Sequence, residues 1–96
     1  MNPVVLVGHR HDCPIHGIGI VETGSADYTF NGKAVSRVGD RISCVALITS
    51  GSASYLIEGK EVAREGDRTD HDGVLVEGDS NWLVERPTLP APADIP

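Results

Sequence analysis

Asn31-Gly-Lys-Ala-Val-Ser-Arg-Val-Gly-Asp-Arg-Ile-Ser-Cys44 lies in register with Glu58-Gly-Lys-Glu-Val-Ala-Arg-Glu-Gly-Asp-Arg-Thr-Asp-His71. The offset is 27 residues, and seven of the 14 positions are identical. Gly24, Gly51 and Gly78 keep the same spacing, as do Tyr28, Tyr55 and Trp82. A period of this length marks one supersecondary unit used repeatedly. Cys44 falls on His71, so one slot of successive units holds residue types that ligate metals. Repeats packed about a common axis bring equivalent loops together, and that slot is where a shared site is expected.

The first unit departs from the period in an informative way. Counted forward from Gly8 in register with Gly39, Cys13 matches Cys44 and His71; counted backward from Gly24, Gly17 does. The two counts differ because the first unit carries four extra residues within His11-Asp-Cys-Pro-Ile-His16. The insertion sets Cys13 and His16 at the ends of a Cys-x2-His segment, a spacing that lets one loop present two ligands. Three repeats thereby furnish four donors: Cys13, His16, Cys44 and His71. Thiolate and imidazole together suit Zn²⁺ over Mg²⁺ or Ca²⁺, and a closed set of four suits a structural ion. His9 replaces the turn Asp of the other units, Asp40 and Asp67, and is the alternate fourth ligand in place of Cys13. His11 is expected to be exposed and unpaired. Taken alone, Cys44 reads as a small buried hydrophobe and His71 as a surface turn residue; the shared register is what joins them.

Segments 3–7, 18–22, 27–31, 45–49, 54–57, 73–76 and 81–85 are short, rich in Val, Ile, Leu, Tyr and Phe, and bounded by Gly, Asp, Ser or Asn. These are strand and turn signals, and no helical period of comparable length competes with them. The expectation is an all-β domain over residues 1–85. From residue 86 the composition turns to Arg-Pro-Thr-Leu-Pro-Ala-Pro-Ala-Asp-Ile-Pro, which cannot join a sheet ladder and predicts an extended tail over 86–96.

At 96 residues there is room for one small domain. With one Trp, two Tyr and one Phe as aromatic anchors, a metal staple would help it fold. The net charge of −6 and the lack of any Lys/Arg cluster argue against nucleic acid as partner. The N-terminus lacks a basic region followed by a long apolar core, so synthesis in the cytosol without a signal peptide is expected. Two cysteines in that reducing compartment favour metal over a disulfide. An enzyme is not expected: Asp12, Asp70 and Asp72 read as turn residues rather than as the general base of an open zinc site. A small zinc hydrolase built on them is the rival reading, and a stand-alone adaptor module that binds through strand edges is another.

These residues resemble the PAAR-repeat family, the tip proteins of the type VI secretion spike. The resemblance spans about residues 3–85 and rests on the two Gly-Lys-x-Val-x-Arg-x-Gly-Asp blocks, the Cys13-Pro-Ile-His16-Gly17 loop and the Gly-Ser turns at 24–25 and 51–52. The family's Pro-Ala-Ala-Arg stands here as Ala34-Val-Ser-Arg37 and Glu61-Val-Ala-Arg64. The resemblance implies a pointed cone with pseudo-threefold symmetry and one zinc near its apex. Its base would sit on the trimeric spike protein (VgrG), one tip chain per trimer. It further implies a chain that is monomeric alone, exported by the type VI apparatus to pierce a target membrane, with or without effector cargo. Family sites of three His and one Cys, applied here, imply His9, His16 and His71 with a single Cys.

Overall fold

The computed structural model describes residues 2–85. The stretch 86–96, expected as an extended tail, lies outside the described residues. Every regular element among the described residues is a β-strand: β1 (Asn2–Val4), β2 (Arg10–Cys13), β3 (Gly17–Ile20), β4 (Thr29–Phe30), β5 (Lys33–Ala34), β6 (Ser52–Ile57), β7 (Lys60–Val62), β8 (Val74–Leu75) and β9 (Asp79–Val84). The all-β expectation holds. Residues 45–49, expected as a strand, instead carry isolated bridges at Leu47 and Ile48. Three strands were not expected: 10–13, 33–34 and 60–62. They are the polar partners of hairpins, and their Arg, Lys, Asp and Glu hide the strand signal.

Two hairpins close through tight turns. Asn31 and Gly32 have φ of 51° and 80°, and Glu58 and Gly59 have 55° and 80°. Two successive left-handed residues make the turn whose twist matches that of the flanking strands. The β6–β7 ladder pairs Ser52 with Val62, Leu56 with Glu61 and Ile57 with Lys60. The third copy is built from the two ends of the described chain: β9 and β1 pair Asp79 with Val4, Leu83 with Pro3 and Val84 with Asn2. Residue for residue this repeats the β6–β7 register, including its irregularity. The N-terminal strand thus completes the hairpin of the third unit.

Backbone hydrogen bonds join the three units. Val5 N–H donates to Ala63 C=O at 2.9 Å, Ala63 N–H to Ser36 C=O at 2.9 Å, and Ser36 N–H to Val5 C=O at 3.0 Å. A second set runs Val7 to Ala34, Val38 to Glu61 and Glu65 to Pro3. The first set closes on itself after three steps, and the second repeats one bond from unit to unit around the same three, which is a pseudo-threefold axis written in hydrogen bonds. Chain crossing at such an axis leaves no space for side chains: a Cβ on Gly24, Gly51 or Gly78 would lie within 2.7–2.8 Å of the neighbouring unit.

The core is stacked from equivalent triads. Val4, Val35 and Val62 are fully buried in one cluster, with Ile57 and Val84 beside them and Phe30, Trp82 packed against it. Val21, Ile48 and Leu75 are buried in a second cluster, against which Cys44 packs. Aromatic residues and the cysteine thus abut different layers of the core. Tyr28 and Tyr55 stay half exposed, whereas Trp82 is partly buried against Phe30, with ring centroids 5.4 Å apart.

Beside the axis each unit makes the same tight turn. Gly8, Gly39 and Gly66 have φ of 99°, 94° and 97°, and the residue after each returns its N–H to the carbonyl three positions back. A left-handed third residue in such a turn calls for Gly. Two of these turns are clamped by ion pairs. Arg64, 5% exposed, spans Asp67 through Nε at 3.0 Å and Glu85 through NH1 at 3.1 Å, and Arg37 spans Asp40 and Glu58 in the same way.

Candidate metal centre

The ligand slots sit in hairpin loops whose form is dictated locally. In the second unit Ile42 N–H donates to Ala46 C=O at 2.8 Å, and Val45 N–H returns to Ile42 C=O at 2.9 Å. The third unit repeats this with Thr69, Gly73 and Asp72 at 3.1 Å for both bonds. Val45 and Asp72 each have φ of 61°. A turn followed by one left-handed residue is the three-residue hairpin loop, and it presents Cys44 and His71 at the same point of their units. The first unit uses its four extra residues to lengthen the hairpin. The β2–β3 ladder adds the pairs Asp12 with Ile18 and Cys13 with Gly17. Burial alternates along β2, with His11 and Cys13 inside and Arg10 and Asp12 outside, as a pleated strand requires. The turn beyond then carries His16.

These loops bring Cys13, His16, Cys44 and His71 together, with all four ligand atoms within 4.8 Å of one another. Cys13 Sγ lies 3.5 Å from His16 Nδ1 and 3.8 Å from His71 Nδ1, and Cys44 Sγ lies 4.0 Å from His71 Nδ1. Zn–S bonds of about 2.3 Å and Zn–N bonds of about 2.0–2.1 Å meeting tetrahedrally set donor separations of roughly 3.3–3.8 Å. The two Cys13 separations lie in that range, and the wider ones would close by up to about 1 Å around such an ion. Both cysteines are free thiols, Cys13 buried and Cys44 partly so, and the two rings are tilted with centroids 5.4 Å apart.

The two thiols are poised differently. Burial pushes Cys13 up, but the backbone N–H groups of His16 and Ile15 and the His16 ring outweigh it and hold this thiol below its ordinary value. At Cys44 burial prevails and the thiol is pushed up. Cys13 is the readier thiolate of the pair. Ile15 and Val45, next in the chain to His16 and Cys44, are exposed.

His9 is not brought into this group. It is nearly buried, and its Nδ1 accepts the Leu6 N–H at 3.0 Å. In the equivalent turns Asp40 accepts the Arg37 N–H and Asp67 the Arg64 N–H, both at 2.7 Å. The imidazole does a carboxylate's work there. Asp70 acts as a turn residue, its Oδ1 taking the Leu47 N–H at 2.9 Å.

His11 overturns its expectation. It is fully buried, with Nε2 2.9 Å from Thr69 Oγ1 and Nδ1 3.8 Å from Cys44 Sγ. The signal for it was available: counted forward from Gly8, His11 takes the place of Ile42 and Thr69, and it stands two residues before Cys13 on the inward face. Reading only the ligand slot passed over it.

The PAAR motif family model matches this chain twice, over residues 2–46 and 16–77, so together the matches run from residue 2 to residue 77. No curated protein matches the chain.

Proposed function

The chain belongs to the PAAR-motif family, a structural family of type VI secretion spikes, and from that premise we propose that it is a zinc-stabilised spike tip. In this reading residues 1–85 form the tip and cap the trimeric spike protein VgrG. The observation that carries it is the convergence of three equivalent loops, one of them lengthened, on four donor atoms within 4.8 Å. A vertex has few atoms to bury, so it cannot be stiffened by a hydrophobic core alone. Cys13 and His16 from the first unit, Cys44 from the second and His71 from the third would hold the ion. Bound there, zinc supplies a crosslink among the three loops, and structural sites of this type contribute on the order of 10 kcal/mol to folding.

A single chain must meet a threefold partner at the other end. The pseudo-threefold axis gives it three similar faces, and Tyr28, Tyr55, Leu56 and Leu83 leave apolar surface exposed on equivalent hairpins. Aromatic and aliphatic side chains of this kind anchor interfaces. The chain would be made in the cytoplasm and leave through the type VI apparatus, with or without effector cargo.

The reading is tested by elemental analysis and by titration against a purified spike trimer. About one zinc per chain and one chain per three spike chains are expected. A protein that folds fully stable without metal, or a 3:3 complex, would contradict it.

A further inference from the structure

One layer of the core is polar where the repeat would make it apolar. The residues two positions before Cys13, Cys44 and His71 are His11, Ile42 and Thr69, all inward-facing and at most 4% exposed. Ile42 fills its place with hydrocarbon. His11 and Thr69 bond to each other instead, Nε2 to Oγ1 at 2.9 Å. The chain makes room for this ring: a Cβ on Gly73 would come within 2.2 Å of His11 Nε2 and 2.7 Å of its Cε1. Two polar groups here replace the hydrocarbon that Ile42 supplies, and the bond between them offsets the cost of burying them.

Thr69 Oγ1 accepts the Gly73 N–H at 3.2 Å, so its own hydrogen is free to point at His11 Nε2. An imidazole that accepts at Nε2 carries its proton on Nδ1. That Nδ1 stands 3.8 Å from Cys44 Sγ. The opposite tautomer would turn a nitrogen lone pair toward an electron-rich sulfur. A thiolate at Cys44 therefore selects the Nδ1–H tautomer, which the Thr69 hydroxyl meets by donating to Nε2.

We propose that His11 is a positioning residue for the metal centre, donating its Nδ1–H to the Cys44 thiolate while the Thr69 hydroxyl holds the ring at Nε2. The proposal rests on the reading of Cys44 as a ligand. The bond draws charge from one of two thiolates crowded at a single ion and locks the Cys44 side chain toward the group. Partners of this outer kind are worth about 10–100-fold in metal affinity.

The test compares wild type with His11→Phe and Thr69→Val, using Zn²⁺ against a competing chelator and Co²⁺ as a spectroscopic probe. Ile42 shows that the layer accepts an apolar residue, and thermal melts of the loaded proteins check folding. Zinc affinity should fall roughly 10–100-fold in both variants. The Co²⁺ spectrum should still report two thiolates and two imidazoles, and histidine ¹⁵N shifts of the loaded wild type should show His11 protonated on Nδ1. Unchanged affinity in both variants, or an Nε2-protonated His11, would overturn the assignment. So would a His11→Phe spectrum lacking one imidazole, which would make His11 itself a ligand. Failure of the wild type to bind zinc would bring down the metal centre as a whole, whereas wild-type binding with unaltered variants would bring down only the role of His11.

Discussion

His9 Nδ1 accepts the backbone N–H of Leu6 at 3.0 Å, closing the turn that Asp40 and Asp67 close elsewhere with a carboxylate. An imidazole can do this only while unprotonated. Burial lowers the His9 pKa from its ordinary value, with the charge of Glu77 opposing and Lys33 assisting. A histidine in the unfolded chain titrates near about 6.5, so below that pH the unfolded state binds a proton that the folded state resists. This contribution is fully present above about pH 6.5 and is lost as the pH falls toward the folded value. His9→Asn keeps an acceptor that does not titrate. Urea midpoints from about pH 7.5 to about 5 should fall less steeply for His9→Asn than for wild type. Parallel curves would remove His9 as the cause.

Arg64 and Asp67 form the most buried ion pair, with Asp67 fully buried and every Arg64 nitrogen engaged. Removing Asp67 leaves the buried Arg64 with only the part-exposed Glu85 opposite it and orphans the Arg64 N–H, a loss of about 1–3 kcal/mol. Asp67→Ala should therefore lower the unfolding free energy by that much. Changing both residues to apolar ones of similar volume should recover part of it, a pattern that a double-mutant cycle in denaturant measures.

Much of the Cys/His cluster is legible in the sequence because the 27-residue register and the four extra residues before Gly17 are both visible as spacing. The three-residue loops need only a turn and one left-handed residue, so Cys44 and His71 arrive at equivalent points. Closure of the ring is less legible. Asn2-Pro3-Val4 shares only Val4 with Lys60-Glu61-Val62, and nothing local tells a chain end that its partner lies some 80 residues away. His11 escaped for a related reason: its meaning depends on Thr69 and Gly73, residues of another unit that carry no ligand chemistry of their own. The slot of His9, that of Asp40 and Asp67, is visible in the register, but an imidazole there can close the turn or ligate a metal, and the sequence does not say which.

Gly51 tests the close passage at the axis. A Cβ there would meet Val62 O at 2.8 Å and Glu61 Cβ at 3.0 Å, both tied into the β6–β7 ladder. Gly51→Ala should cost about 1–3 kcal/mol, as overpacking does in a closely packed core. Gly59→Ala is the control: nothing lies near its Cβ, so any loss there reports backbone strain at φ of 80° alone.

Val45 holds φ of 61° although it is β-branched, and its side chain is 68% exposed, so no packing offsets the strain. The equivalent Asp72 adopts the same φ with a side chain better suited to it. Val45→Asn should raise stability by about 1 kcal/mol, the order of the left-handed penalty for ordinary residues. A higher melting temperature with metal affinity unchanged is expected. If the temperature instead drops, the exposed valine is making a stabilising contact that its solvent position does not reveal.

His16 separates metal binding from folding. It is the exposed member of the group, standing in the turn beyond the β2–β3 ladder, and its contacts are to Cys13 and His71. Replacing it should leave the strands and both core clusters untouched while removing one of four donors. His16→Ala as purified should then melt at the temperature of chelator-treated wild type, and chelator should shift it no further. Wild type should lose stability on chelation, because the ion's binding free energy is also folding free energy. A His16→Ala protein that still responds to chelator would mean that the ion is held by the remaining three residues and water, an open site in place of a closed one.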